Sequence, residues 1–376
     1  MACRFGIFPR RLVWALLVFC FGGTEAFSQL QVAPSAWPDR PVLRVHYDAG
    51  WGHFISIRGD ASPLSWSQGV SAQWTPGNVW VWKGPRGMAG FSWKPLIDDL
   101  DWSTGGNYFL PGGTGVLNVY PFFGASQGSL HLVHNFWSPQ LNNKRTLRIF
   151  LPASYFENPA KHYPVLYMHD GQNLFDPNTA AFGVEWEVDE TLNREVGIGQ
   201  VREVIVVGID NTSGRLFEYS PWPDPFFGGG GGDLYLDFLE DTVKPYVDST
   251  YRTLPLAKDT LSLGSSMGGL ISFHAGWTRS GTFGAVACMS SSFWWDGGAY
   301  IHEVESFTGN RPPCIFYVDS GDDLLAESLA MRDALSSAGY QFGVDLHHWY
   351  EPGAGHNEAA WADRLHVPLR LLLPWP

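Results

Sequence analysis

The sequence predicts an α/β protein with a mostly parallel sheet, preceded by an all-β, immunoglobulin-like sandwich. Three observations carry that expectation. Short β-like runs punctuated by turn residues fill the chain up to about Phe123. Beyond it, strand-like segments alternate with amphipathic helix-like ones, and a Gly-x-Ser-x-Gly turn joins an apolar run to a helix-like run. The 376 residues suit two domains, one of them large enough to bury a substantial core.

Residues 1–28 read as a signal peptide. Arg4, Arg10 and Arg11 precede an apolar run over 12–21, and small residues follow, so cleavage is expected after Ala26 or after Ser28. The run is too short for a stable span, which predicts a secreted or periplasmic protein with no stable membrane insertion after cleavage. The sandwich is expected over 38–124, with strands at 42–47, 53–58, 79–82, 90–97 and 115–120 and with Gly, Pro, Asp and Asn in the gaps. The stretch 121–128 is the expected joint.

The second domain, 128–376, is expected to carry strands at 144–152, 163–169, 203–209, 259–265, 283–290, 314–319 and 342–349. Helices are expected at 185–195, 233–248, 267–279, 325–338 and 357–372. Five consecutive glycines, Gly228 to Gly232, read either as a surface loop by the site entrance or as an inert flexible connection. Cys288 and Cys314 fall on adjacent expected strands with Cys314 lower by about four residues, roughly 13 Å and beyond disulfide reach. Two buried free thiols are therefore expected.

Gly264-Ser265-Ser266-Met267-Gly268 between strand and helix is the pattern of the α/β-hydrolase nucleophile elbow, in which glycines remove the Cβ atoms that would clash around a strained serine. Such a serine needs an acid and then a histidine later in the chain. Ser320-Gly321-Asp322-Asp323 supplies the acid at the end of a strand: Asp323 is the choice, Asp322 the rival, and Asp319, still within the strand, is expected to cap the turn. His356, on a Gly-rich loop before the last helix, is the expected base. His347, His348 and His274 are read as structural. The expected oxyanion donors are the N–H of Met267 and that of Gln172, in the turn after an earlier strand.

Composition narrows the function further. A net charge of −13 without a basic tract argues against nucleic acid as a partner. The sequence has no metal-ligand spacing and implies no cofactor. The 18 Trp point to aromatic surfaces.

Residues 169–176 (His-Asp-Gly-Gln-Asn-Leu-Phe-Asp), 207–211 with Arg215 and Glu218-Tyr219-Ser220-Pro221, the Ser266 elbow and Gly355-His356 together resemble the "Putative esterase" family of esterase D, enterochelin esterases and feruloyl esterases. The resemblance covers about Gly128 to the C-terminus and implies a Ser-Asp-His triad acting on a small-molecule or glycan ester. Ser-Gly-Asp-Asp replaces the family's more usual Gly-Thr-x-Asp. The N-terminal segment is similar to starch-binding carbohydrate modules, with Trp66, Lys94, Trp102 and Asn107 in the places of one sugar site, and this implies a polysaccharide partner. The functional expectation is an exported carboxylic ester hydrolase deacylating carbohydrate-linked or feruloyl-type esters. The alternatives are an acyltransferase of the same fold or an inactive carbohydrate-binding protein.

Overall fold

The computed structural model describes residues 40–112, 115–124 and 126–376, so the expected leader lies outside the described residues. Val42–His46 runs antiparallel to Val79–Lys83 and parallel to Val116–Val119, and Gln73–Thr75 completes a four-stranded sheet. Ile55–Gly59 and Phe91–Ile97 centre a second sheet, joined by Val70–Ser71, Asp101–Trp102 and Tyr108–Leu110. Alternation along these strands sends Leu43, Val45, Ile55, Ile57, Trp80, Trp82, Phe91 and Trp93 into one shared core. Several of the tryptophans are thus core residues. The strands that sequence reading missed here have two or three residues, too few for a period-2 pattern to register.

The larger sheet contains eight strands: β1 Ser129–Ser138, β2 Asn143–Leu151, β3 Val165–His169, β4 Ile205–Ile209, β5 Thr260–Ser265, β6 Ala285–Met289, β7 Ile315–Ser320 and β8 Leu346–Tyr350. Their order is β1-β2-β4-β3-β5-β6-β7-β8. The first two strands pair antiparallel, and β4 through β8 run parallel. β3 to β7 are buried on both faces and read as apolar runs, whereas the edge strand β1 is largely exposed and carries no such signal, so it was not anticipated. Separate apolar cores cover the two faces, one built on Phe238, Phe273 and Phe316 and the other on Leu166, Leu261 and Trp361.

The helical expectations hold with shifts of a few residues and two corrections, the divided terminal helix and one added helix. The helix expected at 233–248 is continuous from Gly232 to Thr250 through a π turn at Leu239–Val243. The terminal helix divides into Glu358–Arg364 and His366–Leu372. Trp295–Glu305 was not foreseen, because Gly297 and Gly298 argue against a helix that begins through left-handed residues.

The glycine run is also corrected. Gly228–Gly229 pairs with Pro223–Asp224 in a small hairpin, and a Cβ at Gly231 would collide with the Phe217 ring. The segment is packed, and its glycines permit close approach rather than looseness. Cys288 and Cys314 are buried and free, with Cys288 level with Val318 across the β6–β7 pair.

The described residues form one compact unit. Asn158 donates to the carbonyls of His46 and Pro121, both at 2.9 Å, and the Tyr47 hydroxyl reaches Glu157 at 3.0 Å. Trp375 packs on Tyr108 with ring centroids 5.6 Å apart. The segment before β3, where Asn158 sits, belongs to the N-terminal ends of the parallel strands. The sandwich therefore meets the larger sheet there, away from the opposite ends where functional groups gather in such sheets.

Candidate active site

At the C-terminal end of β5 the chain turns sharply into the helix Met267–Thr278. Ser266 carries the turn with φ 55° and ψ −122°, a conformation costly for a residue with a Cβ. Gly264 makes it feasible, since a Cβ there would lie 2.6 Å from the Gly268 backbone. Ser266 N donates to Met289 O at 3.0 Å, and Ser292 N donates back to Ser266 O at 3.0 Å, so the turn is clamped by the end of β6.

Two strands along, the turn after β7 carries the acid. Asp323 Oδ2 lies 2.6 Å from His356 Nδ1, and its Oδ1 accepts from Gly321 N at 2.9 Å and from Ser290 Oγ at 3.2 Å. Asp322, the rival, accepts from the Tyr350 hydroxyl at 2.6 Å, so the acid-histidine pair is Asp323 with His356. Tyr350 and the backbone hold the Asp322 carboxyl below its ordinary range. Asp319 does not cap the turn. It is wholly buried and accepts two bonds from Arg364 at 3.1 Å each, one from the Tyr317 hydroxyl at 2.9 Å and one from Ser290 N at 3.1 Å. Burial pushes its carboxyl above the ordinary range even against that arginine.

His356 is partly exposed and sits edge-on to Trp361, with centroids 5.0 Å apart; Trp361 in turn contacts Trp186 at 5.6 Å. Asn357 caps the following helix by accepting from Ala360 N at 3.0 Å, which fixes the loop that presents the imidazole. Among the described residues the Ser266 hydroxyl meets Ser292 Oγ at 3.3 Å rather than the His356 ring. Catalytic hydrogen bonds are often incomplete until substrate is present.

The turn after β3 supplies the other flank. Asp170, at φ 58°, accepts from Arg215 Nε and Nη2 at 2.7 and 2.8 Å and from Asn211 Nδ2 at 2.6 Å. Burial would raise the Asp170 carboxyl, but Arg215 and Asn211 outweigh it and hold it low. The Gln172 side chain accepts from Asn211 N at 3.1 Å, and the backbone N–H groups of Gln172 and Met267 have no protein acceptor among the described residues. His169 is buried between the Tyr235 hydroxyl at 2.9 Å and Ser262 Oγ at 3.0 Å, and burial lowers it to about 3, so it is a neutral scaffold.

Two of the histidines read as structural have scaffold partners: His274 is buried against the Tyr300 hydroxyl at 2.6 Å, and His348 meets Ser328 Oγ at 3.1 Å. Sequence reading missed Ser290, Ser292 and Arg364. The signal available for the first two was three consecutive serines closing a strand beside the elbow.

In the sandwich, Trp66 and Trp102 lie 6.2 Å apart at 35° and remain 38% and 41% exposed. Arg58 lies over the Trp102 ring at 5.2 Å. The Lys94 ammonium is spent on Gly105 O at 2.6 Å, and burial lowers its pKa. Asn107 is exposed nearby in sequence.

A profile of the family described as "Putative esterase" matches residues 138–372. The chain belongs to that family. It is 39% identical over 84 residues to the siderophore triacetylfusarinine C esterase of Aspergillus fumigatus, a match spanning 22% of this chain and 28% of that relative's length. A ferulic acid esterase structure superposes with a TM-score of 0.53 at 25% identity, covering 66% of this chain and 98% of that one. The enterobactin esterase of Shigella flexneri, solved in the presence of enterobactin, gives a TM-score of 0.54 at 16% identity, over 85% of this chain and 87% of that one. The last likeness is one of fold. Among the described residues no helix is long and apolar enough to cross a membrane.

Proposed function

We propose that this family member is an exported serine carboxylic ester hydrolase with Ser266 as nucleophile, His356 as base and Asp323 as orienting acid. The observation that carries the reading is the 2.6 Å Asp323–His356 bond at the same sheet end as a serine strained into the elbow. Asp323 fixes the proton on His356 Nδ1 and leaves Nε2 free as the base.

For attack, the Ser266 hydroxyl turns from Ser292 towards Nε2 and gives up its proton as Oγ bonds to the ester carbonyl carbon. The carbonyl oxygen takes the negative charge and is met by the N–H groups of Met267 and Gln172, each such donor being worth roughly 3 kcal/mol in the barrier. Collapse breaks the bond to the alcohol, which leaves with the proton from His356, and water then repeats the sequence to free the acid. The acyl-enzyme divides one hard step into two easier ones.

Relatives and structural neighbours include siderophore esterases and a ferulic acid esterase, and the paired indoles of the sandwich suit pyranose faces. The substrate we propose is accordingly an ester carried on, or near, a carbohydrate. A p-nitrophenyl ester series, then acetylated and feruloylated glycans, tests the reading. Turnover by the wild type and its loss by at least about 10⁴-fold in Ser266→Ala are expected; wild-type rates in that variant would reject the nucleophile.

A further inference from the structure

The turn that follows β6, Ser290-Ser291-Ser292, lies between the acid and the nucleophile and touches both. Ser290 Oγ donates to Asp323 Oδ1 at 3.2 Å, and Ser292 Oγ meets Ser266 Oγ at 3.3 Å. The three serines are buried. Ser290 sits at φ 39°, a left-handed value that a serine tolerates poorly, so its backbone alone does not account for the residue.

Beneath it, Arg364 Nη2 donates to Ser290 Oγ at 2.7 Å while Nε and Nη2 hold Asp319. The Arg364 side chain is 1% exposed and that of Asp319 is not exposed at all. Arg364 also donates to Ala360 O at 2.8 Å, within the helix whose cap, Asn357, directly follows His356. One buried guanidinium therefore anchors the hydroxyl beneath the acid and the helix beside the base.

Because Arg364 has no acceptor site, the Ser290 oxygen must accept from it, and the Ser290 hydrogen is thereby directed to Asp323. The groups around Asp323 are then accounted for: His356 on Oδ2, Gly321 N–H and Ser290 on Oδ1, the Asp319–Arg364 pair below, and Asp322 with Tyr350 beside it on the same turn.

We infer that Ser290, oriented by Arg364, is a positioning residue that holds the Asp323 carboxylate in line with His356. The inference rests on the catalytic assignment above. It concerns the acid-base pair rather than the nucleophile, which separates the two tests.

The experiment compares wild type, Ser290→Ala and Ser290→Gly on one p-nitrophenyl ester, measuring kcat, KM, the pH profile of kcat/KM and the thermal midpoint. The glycine variant removes the same hydroxyl while relaxing the left-handed backbone. Both variants are expected to lose about 10-fold in kcat with KM within about 2-fold, the scale of one hydrogen bond to a charged group. The acid limb of the profile moves to higher pH in both, because a carboxylate stripped of one donor holds the imidazolium more strongly. An unchanged kcat and acid limb would overturn the inference. So would a loss of activity that merely follows the folded fraction with the limb unmoved, or wild-type kinetics in Ser290→Gly. Failure of the underlying reading looks different: Ser266→Ala would then retain wild-type turnover whatever the Ser290 variants do.

Discussion

Asp323 and Asp322 are adjacent carboxylates in one turn, and their hydrogen-bond partners give them different work. Only Asp323 meets an imidazole, whereas Asp322 meets a phenol. Asp323→Asn should lower kcat by about 10⁴-fold, because the amide NH2 can donate to Nδ1 and select the wrong imidazole tautomer, and the neutral amide lacks the charge that stabilises the imidazolium. Asp322→Asn should stay within a few-fold of wild type. Steady-state kinetics on the two purified variants checks both, and a reversed order would move the acid to Asp322. His169 gives a second residue-scale expectation. Burial holds it neutral down to about 3, while an unfolded chain takes up that proton near the ordinary histidine value. Its folded pKa is depressed, so the stability it contributes is full above about 6.5 and declines by about 1.4 kcal/mol per unit as pH falls towards 3. Denaturant titrations between pH 7 and 4 should show this decline, flattened in His169→Gln if that variant folds; an identical slope there would remove His169 as a source.

At the scale of elements, the elbow is the part most constrained by sterics. Gly264→Ala places a Cβ 2.6 Å from the Gly268 backbone, where no flexible side chain can give way. A loss of roughly 1–3 kcal/mol, typical of overpacking, is expected together with a fall in kcat, read by urea denaturation and ester kinetics; a neutral result would show that the turn can relax. This element was legible in the sequence because its glycines, serine and flanking apolar runs are contiguous. The same holds for β3 to β7, whose burial on both faces writes itself as apolar runs. β1 was not legible, since an exposed edge strand has no such pattern. The glycine run misled because composition reports conformational freedom, whereas its packing against Phe217 depends on residues brought there by the hairpin. Arg364 was invisible for a related reason. A single arginine in a terminal helix reads as surface until the fold buries it on Asp319.

For the whole molecule, the two parts share one compact unit, yet they join at the N-terminal ends of the parallel strands, while Ser266 lies at the other ends. The sandwich therefore does not cap the end of the sheet that carries Ser266. If Trp66 and Trp102 form the sugar platform, Trp102→Ala should abolish retention on insoluble starch or xylan in a pull-down and leave kcat on a p-nitrophenyl ester unchanged. Undiminished retention would assign those indoles no role in binding.

The catalytic account turns on a covalent acyl intermediate on one hydroxyl. Rapid quenching of the protein with a p-nitrophenyl ester, followed by peptide mass analysis, measures this directly. The account predicts a burst of nitrophenol matched by one acyl group on the peptide carrying Ser266, absent from Ser266→Ala. Ester turnover with no adduct there, or an adduct on another residue, would contradict it.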